Sequence, residues 1–135
     1  MRRDHLCAWL ITVCCTGCDI FGGPSPLNDA PFIESAGEVR FTDAKGNTLL
    51  TRGDLALSPG ETLDLEIVAT EPEGEALTLA VGPIPRGWSY DEDTQVLHVT
   101  PDAEQRDLTF EIYLCAEDAH DPPAYDVRIL SVSVW

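Results

Sequence analysis

Basic side chains are scarce in this sequence: 8 Lys and Arg stand against 24 Asp and Glu in 135 residues, a formal net charge of −16. That balance excludes ordinary nucleic-acid binding, because docking on a phosphate backbone needs clustered cations. Aromatic residues make up only 7%, yet a hydrophobic content of 44% excludes a wholly disordered acidic tail. No apolar run approaches the ~18 residues of a membrane-spanning helix. No HExxH, GxSxG or P-loop pattern occurs, and His98 and His120 are the only histidines beyond the first turn's worth of chain at His5. The sequence is therefore expected to be no enzyme, with no catalytic residues. Four of the five cysteines fall within the first 18 residues, so Cys115 is left without an internal disulfide framework. With 10 Gly and 10 Pro and no sustained helical period, long helices are not expected either.

What is present begins with an address. Arg2 and Arg3 open the chain, Leu6 to Cys15 is an apolar run of ten, and Thr16-Gly17-Cys18 follows with small residues. Basic, then apolar, then small is the order of an export signal. Ten helical residues span about 15 Å, half a bilayer core, so a permanent span is not expected. Cys15-Thr16-Gly17-Cys18 resembles the lipobox of bacterial lipoproteins, with Cys15 in place of the usual Leu. The resemblance implies a signal peptide over 1–17, a covalent lipid on Cys18 and a place in the bacterial cell envelope, facing the periplasm or the cell surface. Residues 18–30 would then be the lipidated Cys and a tether, in keeping with the Gly, Pro and Asn of Asp19 to Ala30. An anionic protein beside an anionic membrane is repelled by it, so the lipid does the anchoring. Plain secretion, with Cys18 unmodified or removed, is the other reading.

From residue 31 onward, alternation dominates. In Thr62–Thr70, Leu63, Leu65, Ile67 and Ala69 share one face; in Leu108–Ala116, Leu108, Phe110, Ile112, Leu114 and Ala116 do. Shorter strands are expected at Glu38–Thr42, Thr48–Leu50, Ala76–Val81, Gly87–Tyr90 and Gln95–Thr100. In Tyr125–Val134 the apolar phase shifts by one, from Tyr125, Val127, Ile129 to Leu130, Val132, Val134, which predicts a β-bulge near Ile129. Turn signals separate the runs, among them Lys45-Gly46-Asn47, Ser58-Pro59-Gly60, Pro72-Glu73-Gly74 and Asp121-Pro122-Pro123. About seven short strands in one small domain predict an all-β fold, a single antiparallel β-sandwich over 31–135.

Five motifs in order, one of them in two stretches, carry a family resemblance. Pro59-Gly60-Glu61-Thr62-Leu63 and Val68-Ala69-Thr70-Glu71-Pro72-Glu73-Gly74-Glu75-Ala76-Leu77-Thr78 are similar to bacterial dystroglycan-type cadherin-like and Ig-like domains. So are Pro85-Arg86-Gly87-Trp88-Ser89-Tyr90-Asp91, Leu97 to Pro101, Ala116-Glu117-Asp118, and Asn28-Asp29-Ala30-Pro31 at the start. The resemblance implies a seven-stranded Ig-like sandwich used for adhesion or spacing, with Trp88 and Tyr90 packed inside and calcium often bound. Glu71, Glu73 and Glu75 stand where the family has Asp, and Glu reaches about 1.5 Å further at a larger entropic cost.

In an Ig-type sandwich, the loops after the second and the penultimate strands lie at one end. That brings Glu71, Glu73 and Glu75 near Glu117, Asp118 and Asp121, with Asn28 and Asp29 alongside. Such a set of oxygens suits Ca²⁺. The other reading is a set of solvated loop charges that keep an acidic protein soluble. Asp91-Glu92-Asp93 is expected to be an acidic hairpin turn. Tyr113 faces outward and is the better candidate for a protein contact; Cys115 is expected to be a half-buried, inert thiol. The sequence thus points to a membrane-anchored binding or adhesion module, its partner an envelope protein or glycan. The competing reading is a spacer or accessory subunit with no ion or ligand site.

Overall fold

A computed structural model describes residues 29–135; the expected signal peptide, Cys18 and all but the end of the tether lie outside the described residues. The described chain is all-β. Nine strands run in order: β1 (Phe32–Ala36), β2 (Val39–Arg40), β3 (Arg52–Leu57), β4 (Leu63–Thr70), β5 (Leu77–Gly82), β6 (Ser89–Asp91), β7 (Val96–Val99), β8 (Thr109–Asp118) and β9 (Tyr125–Val134). A single 3₁₀ turn, Ala103–Gln105, joins β7 to β8. The strands form two sheets, β2-β1-β4-β7-β6 and β3-β9-β8-β5.

The core between the sheets comes from the inward rows. Leu65, Ile67, Leu97 and Val99 of the first sheet meet Leu79, Val81, Ile112, Leu114, Leu130 and Val132 of the second. Phe41 and Ile33 close the core beside β1. Trp88 is buried, as the resemblance implies. Its ring meets Phe110 edge-on at 5.2 Å, and its indole N–H donates to Gln105 Oε1 at 3.2 Å. An aromatic ring with a polar handle is stable inside only when that handle is satisfied.

Several expectations are corrected. The sandwich is not wholly antiparallel, because β3 pairs parallel with β9 from Arg52↔Ile129 to Leu57↔Val134. The strands number nine because β1 and β3 are added, neither of which alternates in the sequence. Thr48–Leu50 forms no strand; only an isolated Thr42↔Thr48 bridge remains, and Leu49 and Leu50 are 60% and 51% exposed. Leu108 lies just outside β8 and is exposed rather than in the inner row.

There is no bulge at Ile129: β8 and β9 stay in one register from Thr109↔Ser133 to Glu117↔Tyr125. The irregular register is in β1 instead, between Ile33 and Ser35. The phase shift in β9 has another cause. Asp126 and Arg128 occupy inward positions and Tyr125, Val127 and Ile129 outward ones. Arg128 is buried, with Nη2 3.1 Å from Asp126 Oδ1 and 2.9 Å from Thr48 Oγ1. Asp126 Oδ2 accepts the Ile33 N–H at 2.6 Å, so this pair ties β1 to β9 beside the register shift in β1.

Candidate cation site

The β4–β5 turn is built by Glu71-Pro72-Glu73-Gly74. The Gly74 N–H donates to the Glu71 carbonyl at 3.1 Å, and Gly74 sits at φ +74°, where a side chain would be strained. Pro72 supplies the fixed φ that the first corner of such a turn favours. Glu71 then folds back over its own turn: Oε2 accepts the N–H of Glu73 at 2.8 Å and of Glu75 at 2.9 Å.

Beside this turn, β8 ends in Asp118, paired with Leu77 at the start of β5 in the same sheet. Asp118 is 4% exposed. Its Oδ1 holds the β8–β9 loop by accepting the N–H of His120 at 3.2 Å and of Ala124 at 2.9 Å. Both loops therefore use one carboxylate oxygen to fix their own backbone.

Glu71, Glu75 and Asp118 each offer an oxygen such that the three lie within 4.8 Å of one another, and they are the one such group among the described residues. Glu71 Oε1, Glu75 Oε1 and Asp118 Oδ2 are buried without a hydrogen-bond partner among the described residues. Anionic oxygens shielded from water without donors are unfavourable, so three side by side call for a compensating charge. The Glu75 carboxyl is held above its ordinary value by burial, with Glu71, Asp118 and Glu73 pushing the same way and only His120 opposing. Oxygen donors of this kind suit a hard divalent ion.

Of the six residues expected as ligands, the fold brings together these three. Glu73 turns away: both of its oxygens accept the Asp29 N–H, at 3.0 and 3.1 Å. Glu117 is one position out of phase with Asp118 along β8; burial raises its carboxyl, a Tyr125 hydrogen bond opposes this, and Asp118 adds to the rise. Asp121 is exposed in the β8–β9 loop, outside the group. The sequence named the two loops, yet could not show which carboxylates come together, because that depends on which oxygen each turn has already used.

Elsewhere, Asp91 Oδ1 accepts the N–H groups of Asp93 and Thr94 and shapes the β6–β7 hairpin as expected. His98 pairs across strands with Asp64, Nδ1 to Oδ1 at 2.6 Å. On the outer face of the second sheet, Cys115 is more buried than expected. It sits with Ala80 beneath half-buried Tyr125 and Val127, while Tyr113 is 37% exposed beside Ile129.

No protein-family model matches the chain, and no curated protein does. Among solved structures, it is similar to a nucleoside hydrolase-related hypothetical protein from Saccharophagus degradans that is associated with carbohydrate metabolism. That likeness has a TM-score of 0.58 at 19% identity, over 80% of this chain and 26% of the other. The likeness shows the fold. Mouse cadherin-23 EC22-24 follows at a TM-score of 0.49 and 20% identity, covering 78% of this chain and 31% of that one. Protocadherin gamma C5 EC1-3 follows at 0.47 and 20%, covering 78% and 33%. This chain thus spans between a quarter and a third of the length of these three structures.

Proposed function

We propose that this chain is a non-catalytic binding or adhesion module of a bacterial cell envelope. It is anchored by a lipid on Cys18 and held rigid at one end by Ca²⁺ on Glu71, Glu75 and Asp118. Two observations carry the ion: the three carboxylates approach within 4.8 Å of one another, and each has a buried oxygen without a donor among the described residues. Calcium takes six to eight oxygens, so three side chains leave the remainder to water and to second oxygens of the same carboxylates. Binding then falls in the weak extracellular range, on the order of 10⁻⁴ to 10⁻³ M. The anchor rests on the basic, apolar and small order ending at Cys18.

Binding is favoured over mere spacing by the outer face of the second sheet. There Tyr113 is 37% exposed beside Ile129, and half-buried Tyr125 and Val127 cover Ala80 and Cys115. With a net charge of −16, the fitting occupant is a protein whose own apolar patch is rimmed by basic residues. Calcium titration calorimetry on the full chain tests the ion: saturable binding should be lost in Asp118→Asn, and equal heats for both proteins would refute it. The anchor is tested by mass spectrometry of the cell-derived protein, where Cys18 should carry a diacylglyceryl group and Cys18→Ser should release the protein from membranes.

A further inference from the structure

The loop between β2 and β3 is built as a fixed ledge. Asp43 Oδ1 accepts the N–H groups of Lys45 and Asn47, both at 2.9 Å, and the Asp43 N–H donates to the Asn47 carbonyl at 3.0 Å. The Thr48 hydroxyl accepts from Nη2 of buried Arg128 at 2.9 Å. Leu49 and Leu50 come next, and both of their N–H groups donate to the Phe41 carbonyl, at 2.8 and 3.1 Å. Their backbone is pinned, yet they stand 60% and 51% exposed. Covering apolar surface that is already ordered costs little further entropy. A Cβ on Gly46 would stand 3.0 Å from the Phe32 ring, so the ledge rests on the first residue of β1. It lies at the end of the sandwich where the chain arrives from Cys18. Charge also sets it apart. Half of the basic residues beyond position 28, Arg40, Lys45 and Arg52, fall between 38 and 54, where they balance Glu38, Asp43 and Asp54. The net charge of −16 is carried outside this stretch. Glu71, Glu75 and Asp118 sit by β5, at the opposite edge of the second sheet from β3.

We infer that this ledge is a membrane-facing surface: Leu49 and Leu50 enter the headgroup region of the bilayer that holds the lipid of Cys18, with Lys45 of the same loop beside the lipid phosphates. This rests on the anchor reading above and adds an orientation to it. Asp29 follows Cys18 by eleven positions. A fully extended chain of that length spans at most about 40 Å, so an anchored domain stays within reach of the bilayer. Acidic side chains brought to an anionic leaflet are repelled by it. The domain therefore approaches with the stretch that carries no net charge, and the two leucines supply the apolar surface that holds it there. A protein occupant would have to arrive by diffusion, whereas the bilayer is in place as soon as Cys18 is acylated.

The experiment reads thiol accessibility in the full chain made in bacterial cells. Leu50→Cys places a thiol on the ledge, and Ala103→Cys places one in the 3₁₀ turn at the far end of the sandwich. Cys115 is buried, so an uncharged polyethylene-glycol maleimide reads the new thiol. Each protein is labelled in cells and in vesicles of phosphatidylglycerol and phosphatidylcholine, and the mass of the Cys18 peptide is taken in parallel. In vesicles, Leu50→Cys should react about tenfold more slowly than the same thiol in a Leu49→Ser background, the factor that embedding one half-exposed leucine contributes. Ala103→Cys should react at one rate with or without Leu49→Ser. Equal rates for Leu50→Cys in the two backgrounds would overturn the membrane-facing ledge and leave the anchor standing. Slowing that fades as the protein is diluted in the vesicles would overturn it in favour of contact between copies of this chain. Slowing seen in cells and absent from vesicles would overturn it in favour of a protein partner. A Cys18 peptide without lipid would overturn the anchor and the ledge together.

Discussion

The two oxygens of Asp118 differ: Oδ1 shapes the β8–β9 loop, Oδ2 is buried without a donor among the described residues, and the carboxylate groups with Glu71 and Glu75. Asp118→Asn keeps an acceptor for the loop and removes a charge from the cluster. In EDTA it should therefore cost little stability or even raise it, while abolishing calcium binding; urea melts with and without the ion check both halves. Glu117→Gln and Asp121→Asn should lower calcium affinity far less than Asp118→Asn in the same calorimetry, since neither carboxylate belongs to the group of three. Gly53 illustrates a different residue-scale constraint. A Cβ there would overlap the Val39 side chain and stand 3.1 Å from Phe41. Gly53→Ala should destabilise by about 1–3 kcal/mol, the usual cost of overpacking a filled core, read from the urea midpoint.

At the scale of elements, the strands legible in the sequence are those with an unbroken apolar row. β4 and β8 alternate cleanly, and their expected and observed spans differ by only one or two residues. β3 was hidden because its inward positions include Gly53, which presents no hydrophobic side chain yet is buried against Val39 and Phe41. β1 was hidden because the register shift after Ile33 breaks its alternation. The phase change in β9 was visible but carried the wrong cause. Charged Asp126 and Arg128 face inward, and three apolar residues face outward over Cys115 and Tyr113, with no bulge at all. The candidate site was legible to the level of its two loops, because Pro72, Gly74 and Ala116-Glu117-Asp118 mark them; the division of oxygens was not, because it is set by backbone donors that a sequence does not display. Asp126 also gives a test of how β1 is held. Asp126→Ala strands the buried Arg128 guanidinium and the Ile33 amide, and should cost about 3–5 kcal/mol, seen as a lowered urea midpoint with early loss of amide protection in β1.

For the molecule as a whole, the sandwich is closed by its core, and its acidity concentrates cost at one end. Without a cation, the carboxyls of Glu75, Glu117 and Asp126 are all raised, each chiefly by burial. A raised folded-state value means that the folded protein takes up protons more readily than the unfolded one. Stability in EDTA should then increase as pH falls from neutral toward about 5. Asp43, Glu61 and Asp91 are lowered by hydrogen bonds from their own turns and act in the opposite sense, weakening the fold only below the ordinary carboxylate range. With calcium bound, protons compete for the same oxygens, so the trend between pH 7 and about 5 should reverse; melts across this range in EDTA and in CaCl₂ check the crossing. The most direct measurement is the thermal melt of the full chain at neutral pH in EDTA, in millimolar Ca²⁺ and in matched Mg²⁺. An ion at ten times its dissociation constant adds about 1.4 kcal/mol to the native state, which raises the midpoint of a domain this size by about 5–10 °C. A rise of that order in Ca²⁺, absent in Mg²⁺ and absent in Asp118→Asn, is the expected result; superimposable melts in EDTA and Ca²⁺ would contradict a cation at Glu71, Glu75 and Asp118.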